Sequence, residues 1–342
     1  MMPNFKDYLP WILTAFASAV MVAVLIFSHL LRSPLPIPSP GVIYEFEPGI
    51  SVKTLAVQLK ENQVITYPWL FEWYTRLGGY DTSLQAGEYY FPQGISTRGV
   101  VLRIVKGLVI KRVVRIQEGW TIHQLIAQMQ NEPLIKQTID YNNPAWFSSL
   151  FPGLKHPEGE FMPDTYVYKK GSADEVLLKR MHHDMQKFLE EEWEARDPLV
   201  PYRDSYQALI VASIVEKESA LPSEREAIAG VLIRRVNKGM RLQMDPTVIY
   251  GMGTKYTGKI TKNDLKTPTP YNTYVINGLP PTPIAMPSRQ SIHAALHPAA
   301  GTSLYFVAKG DGSHVFSDTL EAHNAAVVKY LLNSSSNTKG TP

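Results

Sequence analysis

The residue in this chain best suited to acid–base chemistry is Glu218, in the segment Ser-Tyr-Gln-Ala-Leu-Ile-Val-Ala-Ser-Ile-Val-Glu-Lys-Glu-Ser-Ala that runs from Ser205 to Ala220. At about 100° per residue a helix over Tyr206 to Ala220 gathers Ala208, Ile210, Val211, Ala212, Ile214 and Val215 on one broad apolar arc. Glu218 projects near the middle of that arc, Glu216 lies at its edge and Lys217 points outward. A carboxyl on a core face is either paired or has its pKa raised by desolvation, and a raised carboxyl suits a general acid. The competing reading ends the helix near Ser219 and sends Glu218 to solvent or to a cation such as Arg225.

Other acidic residues read more ambiguously. Glu158, Glu160 and Asp164 form a patch before Thr165-Tyr166, with Asp164 read as a turn cap after Pro163 and Glu158 left open between cleft and scaffold. Asp245 precedes Pro246, a context for a turn or extended loop in which an Asx cap competes with a chemical role. Glu190, Glu191, Glu192 and Glu194 read as a solvated helix face.

Several chemistries are set aside. Gly253 to Lys259 has the spacing of a phosphate-binding loop, but Ile260 stands where Ser or Thr is required. His293 and His297 are four apart, as metal ligands on a helix are, yet the HExxH glutamate is missing and Pro298 follows, so no metal is expected there. No Gly-x-Ser-x-Gly elbow occurs. The absence of cysteine removes disulfides and thiol nucleophiles. With 34 Lys and Arg against 31 Asp and Glu, the net charge of +3 is too small for a nucleic-acid binder.

The 342 residues leave room for two domains plus appendages. After residues 1–8, Leu9 to Leu31 carries no formal charge over a bilayer-spanning length, and Lys6 and Arg32 on its flanks nearly cancel, so charge leaves the orientation open. Residues 32–40, with Pro34, Pro36, Pro38 and Pro40 alternating, predict a semi-rigid polyproline stalk. Ser51, Ser96 and Thr121 each precede apolar residues at helical spacing and predict three helix starts. Strand-like runs lie at Val42 to Phe46 and Val109 to Ile116. The resulting fold class is α+β: a small module over 41–112, a larger domain over 113–332, and a disordered tail over 333–342.

Long motifs then carry a resemblance. Ala212 to Ser219, Met240 to Gly253, Thr269 to Pro281 and His297 to Ser317, with Glu158 to Tyr166 in order, are similar to the endolytic murein transglycosylase family of YceG-like proteins. The stretch Pro48 to Ile65 resembles the opening of LysM, a small glycan-binding fold. The resemblance implies a single-pass protein of the bacterial inner membrane, with residues 1–8 as a cytoplasmic N-terminus and its catalytic domain in the periplasm, that cuts peptidoglycan glycan strands internally and needs no cofactor. It implies Glu218 as the catalytic acid and proximity to penicillin-binding synthases and the elongation or division machinery. Around Glu218 the expected substrate contacts are Gln243, Asp245, Tyr271, Asn272 and Tyr274, with Glu158 also assigned; flat tyrosine faces stack on sugars and an amide bonds N-acetyl groups. The chain departs from the family at Thr282, after Leu279-Pro280-Pro281, and around His323. A hydrolytic muramidase and a non-catalytic glycan-binding scaffold are the alternative readings.

Overall fold

A computed structural model describes residues 5–332; the expected tail at 333–342 and the first four residues of the expected cytoplasmic segment lie outside the described residues. The chain divides into two units, one running to Arg112 and taking in Val167–Lys170, the other formed by Val113–Tyr166 and Gly171 onward.

The first unit begins with α1 (Phe5–Arg32), whose 28 residues make a rod of about 42 Å at 1.5 Å per residue, longer than the roughly 30 Å of bilayer hydrocarbon. Trp11, Leu13, Phe16, Met21 and Leu25 stand exposed along it, so its apolar surface has no protein cover as far as Ile26, whereas Phe27 packs on Trp69 and Leu31 is buried. There follow β1 (Gly41–Phe46), α2 (Val52–Glu61), α3 (Pro68–Leu77), β2 (Gly87–Pro92) and α4 (Thr97–Val105). The strands β1 and β2 pair antiparallel with Tyr44 opposite Tyr89, and Phe46, Tyr89 and Phe91 stack in a row of rings. Ser51 and Ser96 cap α2 and α4 by accepting from Thr54 N at 3.1 Å and Gly99 N at 3.2 Å, as their positions predicted. Leu55, Leu59, Phe71, Val100 and Ile104 close the core against the strands.

The proline segment departs from the expected stalk. Alternation of prolines with apolar residues turns Leu35 and Ile37 to one side, and both are buried in this core. Leu35 N donates to Ile95 O at 2.8 Å, so the segment runs as an extended strap over α4's entry. The burial of two aliphatic side chains outweighs the solvation that would favour a free polyproline rod.

The second unit comprises β3 (Arg112–Arg115, its first residue in unit one), α5 (Ile122–Asn131), α6 (Trp146–Leu150), β4 (Thr165–Tyr168, its last two residues in unit one), α7 (Asp174–Glu194), α8 (Ser205–Glu218), α9 (Arg225–Asn237), α10 (Asp245–Met252), α11 (Arg289–Leu296), β5 (Tyr305–Ala308), β6 (His314–Ser317) and α12 (Leu320–Val327). Its sheets are two-stranded, β3 with β4 and β5 with β6. The strand β3 is shorter than the apolar run Val109 to Ile116 predicted. Thr121 and Gln124 form a capping box at the start of α5.

Helix α8 is the axle of this unit. Asp204 accepts from Gln207 N at 2.9 Å to start it, and Ala208 through Val215 are all buried. It is therefore wrapped rather than amphipathic, with α7, α9, α10 and α11 packed around it. The helix ends at Glu218, two residues before the predicted end, because Ser219 turns to extended backbone at φ −128°.

Ile37 is 3% exposed. Replacing it by alanine is expected to lower the stability of the first unit by roughly 2–4 kcal/mol, read by urea denaturation; a free stalk would leave stability within about 0.5 kcal/mol.

Candidate active site

The C-terminal end of α8 opens on a cavity of about 510 Å³ whose lining includes Glu218, Arg235, Gln243, Asp245, Tyr274 and Tyr305. Glu218 as a residue is partly open to this cavity, but its Oε1 is shielded from solvent and has no hydrogen-bond partner among the described residues. Burial, and secondarily the charge of Asp245, push its carboxyl up to about 8. A carboxyl so placed is protonated at neutral pH and has no partner competing for its proton.

Its neighbour two residues earlier is handled in the opposite way. Glu216 Oε2 accepts from Ser288 N at 2.9 Å, Ser288 Oγ at 2.5 Å and Ser291 Oγ at 2.7 Å. Its Oε1 meets Arg225 Nη2 at 3.2 Å. Arg225, the sequence-level partner weighed for Glu218, is thus taken by Glu216 and by Ser288 Oγ at 2.7 Å. With Arg225 engaged elsewhere and no ion pair to Glu218 among the described residues, desolvation acts on Glu218 unopposed by a paired charge.

Asp245 opens α10 directly after Met244, and its Oδ1 accepts from Tyr274 OH at 2.7 Å. Tyr274 is held above its ordinary pKa by burial and then by that contact, so it remains a donor. Gln243 adopts φ 54°, the left-handed region a residue with a side chain rarely enters. Its N donates to Thr273 O at 3.1 Å, and its Oε1 accepts from Arg235 Nη1 at 3.3 Å. Thr273 Oγ1 also accepts from Met244 N at 2.9 Å and meets Thr247 Oγ1 at 2.8 Å. The loop carrying Tyr274 is thereby stitched to the entry of α10, and Gly251 lets it lie close, since a Cβ there would stand 2.6 Å from Thr269 Oγ1.

Of the sequence-predicted residues the cavity gathers Glu218, Gln243, Asp245 and Tyr274. Three others are placed elsewhere. Asn272 is 1% exposed, and its Nδ2 faces Asp264 O, Leu265 O and Thr267 O while Oδ1 accepts from Tyr274 N, leaving the amide spent on the loop. Tyr271 bonds Thr282 Oγ1 at 2.9 Å and packs edge-on to Tyr250 at 4.8 Å. Glu158 is fully buried, accepting from Ile122 N at 3.0 Å at the start of α5 and from Tyr250 OH at 2.9 Å; burial pushes it up to about 7. Each of these side chains is committed to holding loops and helix ends.

Sequence reasoning missed Arg235, Tyr305, His314 and His323 in the lining. Arg235 donates to Leu304 O at 2.6 Å and Leu242 O at 2.8 Å, joining α9 to the β5–β6 hairpin. His323 stacks on Tyr305 at 5.3 Å, and burial, followed by the charge of Arg235, lowers its pKa. The unusual surroundings of His323 were the available signal. No spacing rule connects residues on α9, a hairpin and α12.

Glu218 carries a stability signature. Its proton is bound more tightly in the folded state, so the stability it contributes is full below pH 4.5 and lost as pH rises through about 8. Glu218→Gln lacks this loss. The stability difference between the variant and wild type is expected to shift in the variant's favour by up to about 1.4 kcal/mol per pH unit across that window, read by chemical denaturation; a flat difference would mean an ordinary carboxyl.

A profile of the YceG-like family matches residues 44–329. The endolytic murein transglycosylase of Bacillus subtilis strain 168 is 32% identical over 303 residues, covering 83% of each chain. That of Streptococcus pneumoniae serotype 2 strain D39 is 26% identical over 351 residues and covers 89% of this chain, which spans only 62% of the pneumococcal protein. The crystal structure of a yceG-like protein from Listeria monocytogenes aligns with a TM-score of 0.52 and 29% identity, over 84% of this chain and 99% of its own.

Proposed function

Because the chain belongs to the YceG-like family, we propose that it is a lytic transglycosylase that cuts the bond between N-acetylmuramic acid and N-acetylglucosamine within peptidoglycan strands. The observation that carries the chemistry is the lone, unpartnered carboxyl of Glu218 at the end of a cavity whose other carboxylate, Asp245, is already engaged by Tyr274.

Glu218 enters protonated and gives its proton to the bridging oxygen as the bond from that oxygen to C1 of the muramic acid breaks. The glucosamine leaves with a free 4-hydroxyl. Positive charge grows at C1, and the negative charge of Asp245 stabilises it in a site of low dielectric. The muramic acid's own 6-hydroxyl then bonds to C1, and its proton passes to the Glu218 carboxylate. No water is consumed, the acid is regenerated, and the product ends in a 1,6-anhydro ring.

A hydrolytic muramidase needs a second carboxylate, Asp245 or Glu158, to direct water or act as nucleophile. Glu158 does not line the cavity and is occupied by Ile122 N and Tyr250 OH, and Asp245, which does line it, already accepts from Tyr274 OH, which favours the lytic route. A non-catalytic scaffold has no use for a carboxyl raised to about 8 in a cleft. Helix α1 would hold the enzyme in the bacterial inner membrane with the second unit on the periplasmic side, beside its substrate and the synthases that extend it. The first unit, where the LysM-like stretch lies, is read as a further glycan contact.

Digestion of uncrosslinked strands by the detergent-solubilised full chain is expected to yield internal fragments ending in anhydromuramic acid, one water lighter than reducing ends by mass spectrometry. Glu218→Gln should slow this by about 10²–10⁴-fold. Reducing ends would identify the muramidase, and undiminished cleavage by the variant would remove Glu218 from the mechanism.

Activity requires the protonated acid, so kcat/KM should fall above about pH 8. Asp245→Asn removes a charge that raises Glu218 and should move this basic limb to lower pH. An unmoved limb would assign it to another group.

A further inference from the structure

His293 lies in the last turn of α11, and His297 caps the same helix one turn later. Their rings stack at 4.3 Å with 27° between planes, on one side of the helix. The glutamate that the local sequence lacks comes from another element. Glu192 on α7 brings Oε2 to 2.8 Å from His293 Nδ1 and 3.3 Å from His297 Nε2.

All three ligand atoms lie within 4.8 Å of one another. In a tetrahedral zinc site with bonds of about 2.0–2.1 Å, neighbouring ligand atoms stand roughly 3.3 Å apart, so the cluster needs only sub-ångström to ångström adjustments to surround an ion. Two imidazoles and one carboxylate form a donor set that suits zinc and leaves a fourth position for water. His293 is 49% exposed at its side chain, which provides the open side. A cavity of about 310 Å³ lined by Phe188, Glu192, Pro222 and His293 adjoins the cluster and gives an ion access. Arg289, also on its wall, lays its guanidinium over the Phe188 ring at 4.7 Å.

We propose that Glu192, His293 and His297 form a zinc site that clamps α7 to the C-terminal end of α11. Its effect on the fold is to tie these two helices together. The N-terminal end of α11 is already fixed to α8 through Ser288, Ser291 and Glu216; the ion fixes the other end, and none of its ligands lines the Glu218 cavity. The site is independent of the reaction proposed above.

The test uses the untagged full chain in detergent, stripped of metal and titrated with Zn²⁺, with bound metal measured by mass spectrometry and unfolding followed by calorimetry. One Zn²⁺ per chain is expected, and at a hundredfold excess over Kd the unfolding temperature of the second unit should rise by roughly 5–10 °C. Co²⁺ in its place should give the visible absorption of a four-coordinate nitrogen–oxygen site. His293→Ala and Glu192→Gln should each weaken Zn²⁺ binding by at least about tenfold and abolish the Co²⁺ bands. Absence of stoichiometric Zn²⁺ in the wild type, or binding and Co²⁺ spectra unchanged in both variants, would overturn the site; the wild-type Co²⁺ spectrum decides even if a variant folds poorly.

Discussion

The second unit depends on one buried carboxylate. Glu216 leaves α8 two residues before its end and receives the backbone N–H that opens α11, two serine hydroxyls and a guanidinium. An ion pair taken out of water is costly unless its remaining donors and acceptors are met, and here Ser288, Ser291 and Gln290 meet most of them. The contact fixes the rotation and depth of α8 against α11. Because Glu218 lies two residues further along the same rigid helix, its placement at the cavity follows from that fixation.

The two glutamates illustrate how neighbourhood decides chemistry for one side-chain type. Glu216 is surrounded by donors that stabilise its charge; Glu218 has apolar burial and a like charge nearby, and both favour the neutral acid. Drawing Arg225 to the first leaves the second without an ion pair among the described residues. The opposite wall obeys a similar economy: Thr273 joins the Tyr274 loop to α10, Arg235 joins α9 to the β5–β6 hairpin, and the strained Gln243 lies between them. Strain at that residue is sustained because its N–H and its side chain are both bonded.

The first unit is organised by burial rather than by polar contacts. Leu35 and Ile37 show how an apolar residue between prolines is drawn to a core once one is near, whatever the solvated preference of the segment. In α1 the apolar side chains before Phe27 have no such core, and their exposure over most of a bilayer-spanning length fits a membrane anchor.

What the chain carries locally was legible without coordinates. Helix starts at Ser51, Ser96 and Thr121 depend on a hydroxyl and its next few residues, and the apolar length of α1 on composition, so periodicity and capping were enough. The position of Glu218 on a buried helix, and the family to which its motifs belong, were legible for the same reason. The partners of each polar group were not. That Arg225 serves Glu216, that Asn272 spends its amide on its own loop, that Glu158 caps α5, and that Glu192 meets His293 and His297 are matters of which distant segments pack together. Hydrogen bonds and ion pairs reach only a few ångströms, so residues separated by tens of positions in the chain acquire a partner only after the helices have docked. Tertiary structure therefore decided which carboxyl was left alone.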